Sequence, residues 1–233
     1  MKTLFIEARS SIDILLSPHE VERLRPIKAE LGTRVGLITT VQHWHKIPEL
    51  KRQLENLGFS ALTGKGSRTK HEAQILGCDV GAATGIADKV DFFLYIGSGR
   101  FHPIAVAVFT DKPVFKHEPK SKTLSRVNYK EIDLYKKHVR AGQTAFISSN
   151  SIGVLMSEKS GQNNRKLAIL IKQKLKEKGK KVYILAFDTL DFSQLENFPF
   201  IDCFVNTACP RIIDDYSKFP KPVVNASDII QFL

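Results

Sequence analysis

The sequence predicts an α/β fold built from two similar repeated domains, each a small parallel sheet flanked by helices. Residues 91–100 and 202–211 align without a gap: each segment begins with an aspartate, continues through an apolar run and ends in an arginine. Short runs that are apolar on both faces are typical of parallel strands covered by helices. The two segments therefore predict equivalent buried strands, one in each half of the chain.

The segments around these strands repeat as well. Residues 34–40 resemble residues 151–157, and each is followed by a lysine-rich segment with helical patterning. Residues 112–114 and 221–223 both read Lys-Pro-Val, which indicates a short edge strand in each copy. Two copies of one unit predict two domains, residues 1–125 and 126–233, with about four strands in each sheet.

Local signals predict the remaining elements. Ser17 is expected to cap a helix, because Pro18 suits the first turn and Glu20 stands three residues after the cap. In chain order the predicted elements are strands at 4–8, 34–40, 60–63, 91–96, 112–114, 152–156, 181–187, 200–205 and 222–224, helices after Ser17 and at 48–57, 131–148, 164–178 and 193–197, and a polar interdomain connector at 116–130.

Composition limits the functional classes. The 233-residue chain is 42% hydrophobic, but no run approaches the roughly 20 apolar residues that span a bilayer. The N-terminus lacks the plan of a signal peptide. Three cysteines, placed in apolar segments, are too few for a disulfide framework and indicate a reducing compartment. We therefore expect a cytoplasmic protein with no membrane partner.

The formal charge of +11 would suit a nucleic-acid binder. The lysines, however, concentrate on predicted helix faces such as residues 172–181, without interleaved aromatic residues for base stacking. A solvated helix face explains that run better, so no direct nucleic-acid site is expected. The basic surface would still help to dock an acidic protein or a ribosome-bound factor.

The three cysteines lie in different contexts. Cys209 comes just past a predicted strand and beside Arg211, where open α/β sheets place their ligands. It could be a soft metal ligand, a nucleophile or an inert small residue, and from the residues alone the inert reading leads. Cys78, beside Gly77, is likewise expected to be buried and inert on its own evidence. Cys203 lies within the strand and is predicted to be a core residue.

Other polar groups follow the predicted strands. Gln42 and His43 end the strand at 34–40 and are candidates to face a ligand, whereas His45 is assigned to the surface. His43 and His45 lack a nearby third ligand, so a zinc site is not predicted. The turn at residues 97–99 has two glycines and could offer amides to a carboxylate or phosphate, or simply need a positive φ. Residues 64–70 lack the spacing of a nucleotide-triphosphate loop.

Five blocks of this sequence resemble consecutive blocks of one family. The blocks are residues 38–43, 74–78, 95–103, 160–162 and 206–211. They are similar to the diphthamide synthase group, the radical-SAM-like 3-amino-3-carboxypropyltransferases that act on translation elongation factor two. The resemblance extends over residues 35–225 and implies that the two predicted domains match the family's second and third domains, with the first domain and its cysteine absent.

The resemblance implies a [4Fe-4S] cluster held by one cysteine from each of three domains, with Cys78 and Cys209 as two of the ligands. The sulfurs of Cys78 and Cys209 are then expected to converge. An open iron would bind S-adenosyl-L-methionine (SAM), and a radical would pass to a histidine of the elongation factor. The implied SAM-contacting residues are Gln42, His43, Gly97, Ser98, Gly99, Arg100, His102, Gln162 and Arg211. No catalytic residue beyond the cluster ligands is predicted.

Residues 1–77 contain no cysteine, so the third ligand would come from a partner in a homodimer or heteromer, unless the gene is truncated or catalysis has been lost. Three hypotheses remain open. The chain is a transferase that is complete only with a partner, a non-catalytic subunit that docks the elongation factor or passes electrons, or a basic α/β domain that binds an anionic small molecule or RNA. The chain alone is expected to bind SAM weakly and transfer nothing.

Overall fold

A computed structural model describes residues 6–233 and contains two compact units, the first ending at Asp133 and the second spanning Leu134–Leu233. Each unit has its own sheet with flanking helices, which confirms the predicted α/β fold of two similar domains. The predicted boundary after residue 125 would cut the last strand of the first sheet, whereas the units divide after Asp133.

The first unit contains a five-stranded sheet. Its elements are α1 (Pro18–Leu31), β1 (Arg34–Thr39), α2 (Ile47–Asn56), β2 (Ser60–Leu62), α3 (Gly81–Thr84), β3 (Phe92–Ile96), α4 (Phe101–Thr110), β4 (Val114–Glu118), β5 (Thr123–Arg126) and the start of α5 (Tyr129–Ser148). The strand order is β2-β1-β3-β4-β5, parallel except for β5, which runs antiparallel to β4.

The second unit contains a four-stranded, fully parallel sheet of order β7-β6-β8-β9. Its elements after α5 are β6 (Ser151–Ser157), α6 (Arg165–Glu177), β7 (Lys181–Phe187), β8 (Cys203–Asn206), β9 (Val223–Asn225), α7 (Ala226–Ile229) and 3₁₀ helices at Phe192–Asn197, Pro210–Lys218 and Ile230–Phe232. This order matches the first four strands of the other sheet, so the two aligned apolar runs occupy equivalent third positions, as the repeat predicts.

The repeat extends to a glycine–phenylalanine pair between neighbouring strands. Gly36 of β1 pairs with Phe93 of β3, and Gly153 of β6 pairs with Phe204 of β8. A Cβ atom would lie 2.4 Å from the Phe93 ring if added to Gly36, and 2.8 Å from the Phe204 ring if added to Gly153. Both rings are fully buried, so each ring occupies the space that a larger residue on the neighbouring strand would need.

The aspartate before each third strand binds the start of the first strand. Asp91 accepts hydrogen bonds from the backbone N–H of Arg34 at 2.9 Å and from its guanidinium at 2.6 Å. Asp202 accepts from the backbone N–H groups of Asn150 at 3.0 Å and Ser151 at 2.9 Å. These hydrogen bonds lower the pKa of Asp91, chiefly through Arg34, and that of Asp202, chiefly through Ser151. The repeated aspartate therefore has the same role in both units: it binds the backbone at the start of the first strand.

Alternate residues of β3 enter different core clusters. Phe92 and Leu94 pack with the residues of α1 and α2, whereas Phe93 and Tyr95 pack with Val106 of α4, as the two-residue pleat requires. In the second unit, Cys203 and Val205 lie in one cluster and Phe204 in another. None of the helices formed by residues 6–233 is both long enough and apolar enough to cross a membrane.

Three sequence predictions need correction. The segment at 116–130 is not a plain connector: the end of β4 and all of β5 lie within it, the two strands form a hairpin, and Leu124 of β5 is buried. Because β5 pairs with β4, the strand beginning at Val114 is not an edge strand, whereas β9 is. Of the strand predicted at 4–8, residues 4 and 5 lie outside the described residues, and residues 6–8 have no regular structure.

Candidate functional site

Residues 73–79 are bound to the carboxyl edge of the first sheet. The last residue of β1, Thr39, donates its N–H to the oxygen of Ala73 and accepts from the N–H of Ile75, both at 2.8 Å. A Cβ added to Gly77 would lie 2.8 Å from the ring of Phe101, the first residue of α4. The turn that carries Cys78 therefore lies beside the loop that follows β3.

Cys78 lies at the tip of a firmly held turn. Leu76 and Asp79 exchange backbone hydrogen bonds of 2.9 and 3.1 Å. The Asp79 carboxylate, itself 8% exposed, accepts from the N–H groups of Arg68 and Gly81 and anchors the base of the turn. The Cys78 thiol is exposed, which corrects the buried, inert thiol favoured by the residues alone. Its accessibility leaves it available to a metal or cluster.

The loop after β3 needs its glycines for backbone conformation. Gly97 and Gly99 have φ values of 146° and 82°, in the region that glycine adopts most readily. A Cβ on Gly97 would lie 2.8 Å from the hydroxyl oxygen of Tyr95, which donates to the oxygen of Ser98 at 3.3 Å. Ser98 and Gly99 are exposed. Of the turn's amides, that of Gly97 already donates to a backbone oxygen of β4 at 3.0 Å.

The aromatic rings of two residues on either side of this loop, Tyr95 and His102, pack against each other. The ring of His102 stacks on that of buried Tyr95, with centroids 6.0 Å apart and planes 18° apart. Burial raises the pKa of Tyr95 above its ordinary value, so its hydroxyl stays protonated and remains a donor. His102 is half-buried, so one part of its ring packs on Tyr95 while another part remains accessible to solvent.

The two predicted ligand-binding arginines each have a carboxylate partner in their own unit. Arg100 pairs with Glu131 at 2.6 Å, and Arg211 pairs with Asp214 at 3.3 Å. The arginine side chains are 77% and 58% exposed. Exposed ion pairs contribute only about 0–1 kcal/mol, so a ligand carboxylate could replace either partner at low cost.

The turn after β1 concentrates buried polar atoms without partners. Among the residues that the structure describes, six buried side-chain nitrogen or oxygen atoms lack a hydrogen-bond partner, and four of them lie here: Thr40 Oγ1, His43 Nδ1, Trp44 Nε1 and His45 Nδ1. Buried polar groups are normally satisfied, so this turn is suited to an ordered water or a ligand. The sequence analysis selected Gln42 and His43 as site residues but not Thr40 or Trp44. The position of Thr40 and Trp44 in the same turn could have indicated them.

The two predicted ligand residues of this turn differ in exposure. Gln42 is exposed. His43 is only 5% exposed, and burial, with smaller effects from Lys46, His45 and His117, lowers its pKa, which favours the neutral ring. The surface assignment of His45 is wrong in part, since its Nδ1 is buried.

In the second unit, Asn206 organises the turn that carries Cys209. Asn206, 2% exposed at the end of β8, donates to the oxygen of Cys209 at 2.9 Å and accepts from the N–H of Ala208 at 3.0 Å. Cys209 is half-buried and precedes the 3₁₀ helix that Pro210 begins. Gln162 is exposed in the turn after the neighbouring strand β6, so both lie at the carboxyl edge. An asparagine ending an apolar strand could have signalled this role.

Cys203 is a core residue, as predicted. It is fully buried, and burial, its first cause, raises the pKa of its thiol to about 12. Within residues 6–233, no group of three or more His, Cys, Asp or Glu side chains is arranged to hold a metal ion. Cys78 belongs to the first unit and Cys209 to the second, and the convergence of their sulfurs stays a prediction.

Comparisons with known proteins place these features in a family context. A sequence profile of diphthamide synthesis proteins matches residues 1–230. The chain is 31% identical over 229 residues to 2-(3-amino-3-carboxypropyl)histidine synthase of Pyrococcus horikoshii, covering 97% of this chain and 64% of that protein. It is 28% identical over 226 residues to subunit 1 of the synthase of Yarrowia lipolytica, covering 96% of this chain and 50% of that protein.

A solved structure shares the fold. The crystal structure of Dph2 from Pyrococcus horikoshii with a 4Fe-4S cluster superimposes with a TM-score of 0.79 at 31% identity, covering 95% of this chain and 63% of that chain. The chain thus spans between 50% and 64% of the length of the curated relatives that it matches here.

Proposed function

This chain belongs to the family of diphthamide synthesis proteins, and from that premise we propose that it is part of a 2-(3-amino-3-carboxypropyl)histidine synthase. Cys78 and Cys209 supply two thiolates to a [4Fe-4S] cluster, and the product is a modified histidine of translation elongation factor two. The observation that carries the proposal is that both accessible thiols lie at the carboxyl edge of their own sheet, where open α/β sheets bind ligands.

The donor set suits an iron–sulfur cluster. Thiolates are soft, strongly donating ligands for iron, and the exposure of Cys78 and partial exposure of Cys209 leave both sulfurs accessible. Burial and a raised pKa exclude Cys203. When bound, such a cluster supplies an open iron for the amino and carboxylate groups of SAM and an electron for cleaving its sulfonium bond.

A third thiolate would come from outside residues 1–233, because Cys78 and Cys209 are the two accessible cysteines among the described residues. We propose a second subunit, identical or different, as its source. That one relative is named as a subunit of the synthase supports an assembly of this kind. The free thiols suit a reducing compartment, and the cytoplasm stays the predicted location.

The chain's own residues would bind SAM at the two sheet edges. Arg100 and Arg211 are the fixed cations that could pair bidentately with its carboxylate after leaving Glu131 and Asp214. Neutral hydrogen-bonding or packing groups complete the proposed set: Gln42, His43, Gly97, Ser98, Gly99, His102 and Gln162. The neutral ring favoured at His43 suits a hydrogen bond to an uncharged part of the ligand.

Anaerobic reconstitution with iron and sulfide tests the proposed ligands. We expect the purified chain to gain visible absorption and bound iron, and Cys78→Ala or Cys209→Ala to lose most of both, because each removes a thiolate. Cys203→Ala is the matched control, since Cys203 is buried in the core, and it should retain the cluster. A cluster that survives replacement of both Cys78 and Cys209 would remove them from the ligand set.

A transfer assay separates the catalytic proposal from a supporting role. The reconstituted chain is mixed with elongation factor two and SAM labelled in its aminocarboxypropyl group. We expect no transfer from the chain alone, and transfer after addition of a cysteine-bearing first domain as a separate polypeptide. Full transfer by the chain alone would disprove the need for an outside ligand. Transfer that persists without Cys78 and Cys209 would leave only a supporting role.

A further inference from the structure

The strand β7 (Lys181–Phe187) forms an open edge of the second sheet. It is the first strand in the order β7-β6-β8-β9, and it pairs with β6 along its whole length. No strand formed by residues 6–233 pairs with its other side. An edge of this kind presents a row of backbone N–H and C=O groups that another strand can bind.

The backbone groups of β7 alternate between β6 and the open side. Lys181 donates its N–H to the oxygen of Asn150, and the oxygen of Phe187 accepts from the N–H of Glu158, both at 2.8 Å. Successive residues of a strand direct their backbone groups to opposite sides, so the odd-numbered residues of β7 bond towards β6. The residues whose N–H and C=O groups point away from β6 are Val182, Ile184 and Ala186.

The other sheet edges in residues 6–233 are short or polar, whereas the edge of β7 is neither. The strands β2 and β9 have three residues each, and three of the four residues of β5 are exposed and polar or charged. β7 has seven residues, and its segment 182–187 contains no charge, proline or glycine. Proteins usually protect long edges with charges, proline or bulges, so this edge lacks the usual protection against pairing with another strand.

An exposed aromatic patch adjoins this edge. Tyr183 of β7 is 40% exposed and Phe200 is 50% exposed, and their ring centroids lie 4.9 Å apart. Ala186 is exposed as well, so both the backbone edge and one of its apolar faces are accessible. A strand that paired with β7 would remove part of this apolar surface from water.

The charges at the two ends of β7 favour a second copy of the same strand as the partner. Lys180 and Lys181 stand at its beginning, and exposed Asp188 follows its end. Antiparallel pairing of two copies places the lysines of each beside Asp188 of the other, whereas parallel pairing would place like charges together. A two-fold axis through the edge produces this antiparallel arrangement, with the same contacts at both ends.

We propose that two copies of this chain pair antiparallel through β7 and form one continuous eight-stranded sheet. With the two-fold axis at Ile184, the outward backbone groups of Val182 in one copy bind those of Ala186 in the other, and Tyr183 lies opposite the second copy's Leu185. The pairing requires neither the cluster nor SAM, so it can fail or succeed separately from the proposed transferase.

Sedimentation equilibrium of the full chain without iron, sulfide or SAM tests the proposal. We expect a monomer–dimer equilibrium with a Kd of about 1–100 μM, because one strand pair makes an interface at the small end of the specific range. Ala186→Pro removes an N–H that points away from β6, which an edge strand tolerates. It deletes one donor in each copy and should raise the Kd at least about tenfold. Ala186→Ser, which keeps the N–H, is the matched control and should dimerise like the wild type.

A second variant keeps the test decisive if Ala186→Pro does not fold, which circular dichroism would reveal. Tyr183→Lys places the two new charges diagonal to each other across the two-fold axis and should also weaken the dimer. Phe109→Lys makes a similar change at a residue of the first unit that is 53% exposed, and it should have no effect. The proposal is overturned if the wild type stays monomeric at every concentration, if Ala186→Ser disrupts the dimer as much as Ala186→Pro, or if neither Ala186→Pro nor Tyr183→Lys weakens the dimer.

Discussion

Replacing Gly36 by alanine should destabilise the protein, because the new methyl group would lie 2.4 Å from the Phe93 ring. Carbon atoms in contact need about 3.5–4.0 Å, so the ring or the strand must move by roughly 1 Å in a region with no exposed surface. Overpacking of this kind costs about 1–3 kcal/mol. That exceeds the gain of about 0.4–1 kcal/mol that alanine gives by restricting the unfolded chain.

A double-mutant cycle with Phe93→Val isolates this clash. The valine keeps a carbon near the Cγ position, which lies 3.4 Å from the added methyl, and removes the ring atoms at 2.4 and 2.5 Å. Phe93→Val alone leaves a cavity and should cost less than the roughly 3–5 kcal/mol that is typical of Phe→Ala. Combined with Gly36→Ala, the two losses should not add, and the coupling should be about 0.5–3 kcal/mol.

Urea unfolding measures the cycle. The single tryptophan, Trp44, belongs to the first unit, so its fluorescence follows the unit that carries the substitution. Gly153→Ala with Phe204→Val is the matched cycle in the second unit and should be followed by far-ultraviolet circular dichroism. Losses that add to within about 0.5 kcal/mol would refute the steric explanation for these glycines.

Two further predictions concern buried ionisable groups. Glu20→Ala should cost about 1–3 kcal/mol, because it leaves the buried His117 ring, whose lowered pKa favours the neutral form, without the carboxylate that lies 2.6 Å away. Glu22→Ala, exposed on the same helix, should change the free energy of unfolding by under about 0.5 kcal/mol. Equal losses in urea would contradict this. Because burial lowers the folded pKa of His43 below its ordinary 6.5, its contribution is fully present above that pKa and is lost as the pH falls. His43→Gln should therefore lose less stability than the wild type between about pH 7 and 5, and an identical pH dependence would show that His43 does not contribute.

Features that depend on neighbouring residues could be predicted from the sequence. Ser17, Pro18 and Glu20 form the predicted helix cap, with the Glu20 side chain accepting from the N–H of Ser17 at 3.0 Å. The strand at 181–187 is also found where its apolar, β-branched character predicts it. Caps and strand periods are short-range properties, so a few consecutive residues carry the signal.

The short strand β5 could not be predicted in this way. Its four residues include one buried side chain, Leu124, and three exposed ones, which is too short an alternation to be recognised. Its strand conformation depends on pairing with β4, and Leu124 packs with Phe115 in the first unit's core. Tertiary contacts therefore make this segment a strand, although its local sequence predicted only a connector.

The sequence by itself determined that Cys209, Arg100 and Arg211 follow strands, because chain order and strand period place them in loops at strand ends. Cys78 reaches a strand end only through the tertiary hydrogen bonds of Thr39 with Ala73 and Ile75. Only the tertiary structure decided what each of them can do there. It exposes the Cys78 thiol and buries His43, and it gives Arg100 a partner, Glu131, from 31 residues further along the chain. Burial and ion pairing arise from segments that are distant in sequence, so no local pattern contains them.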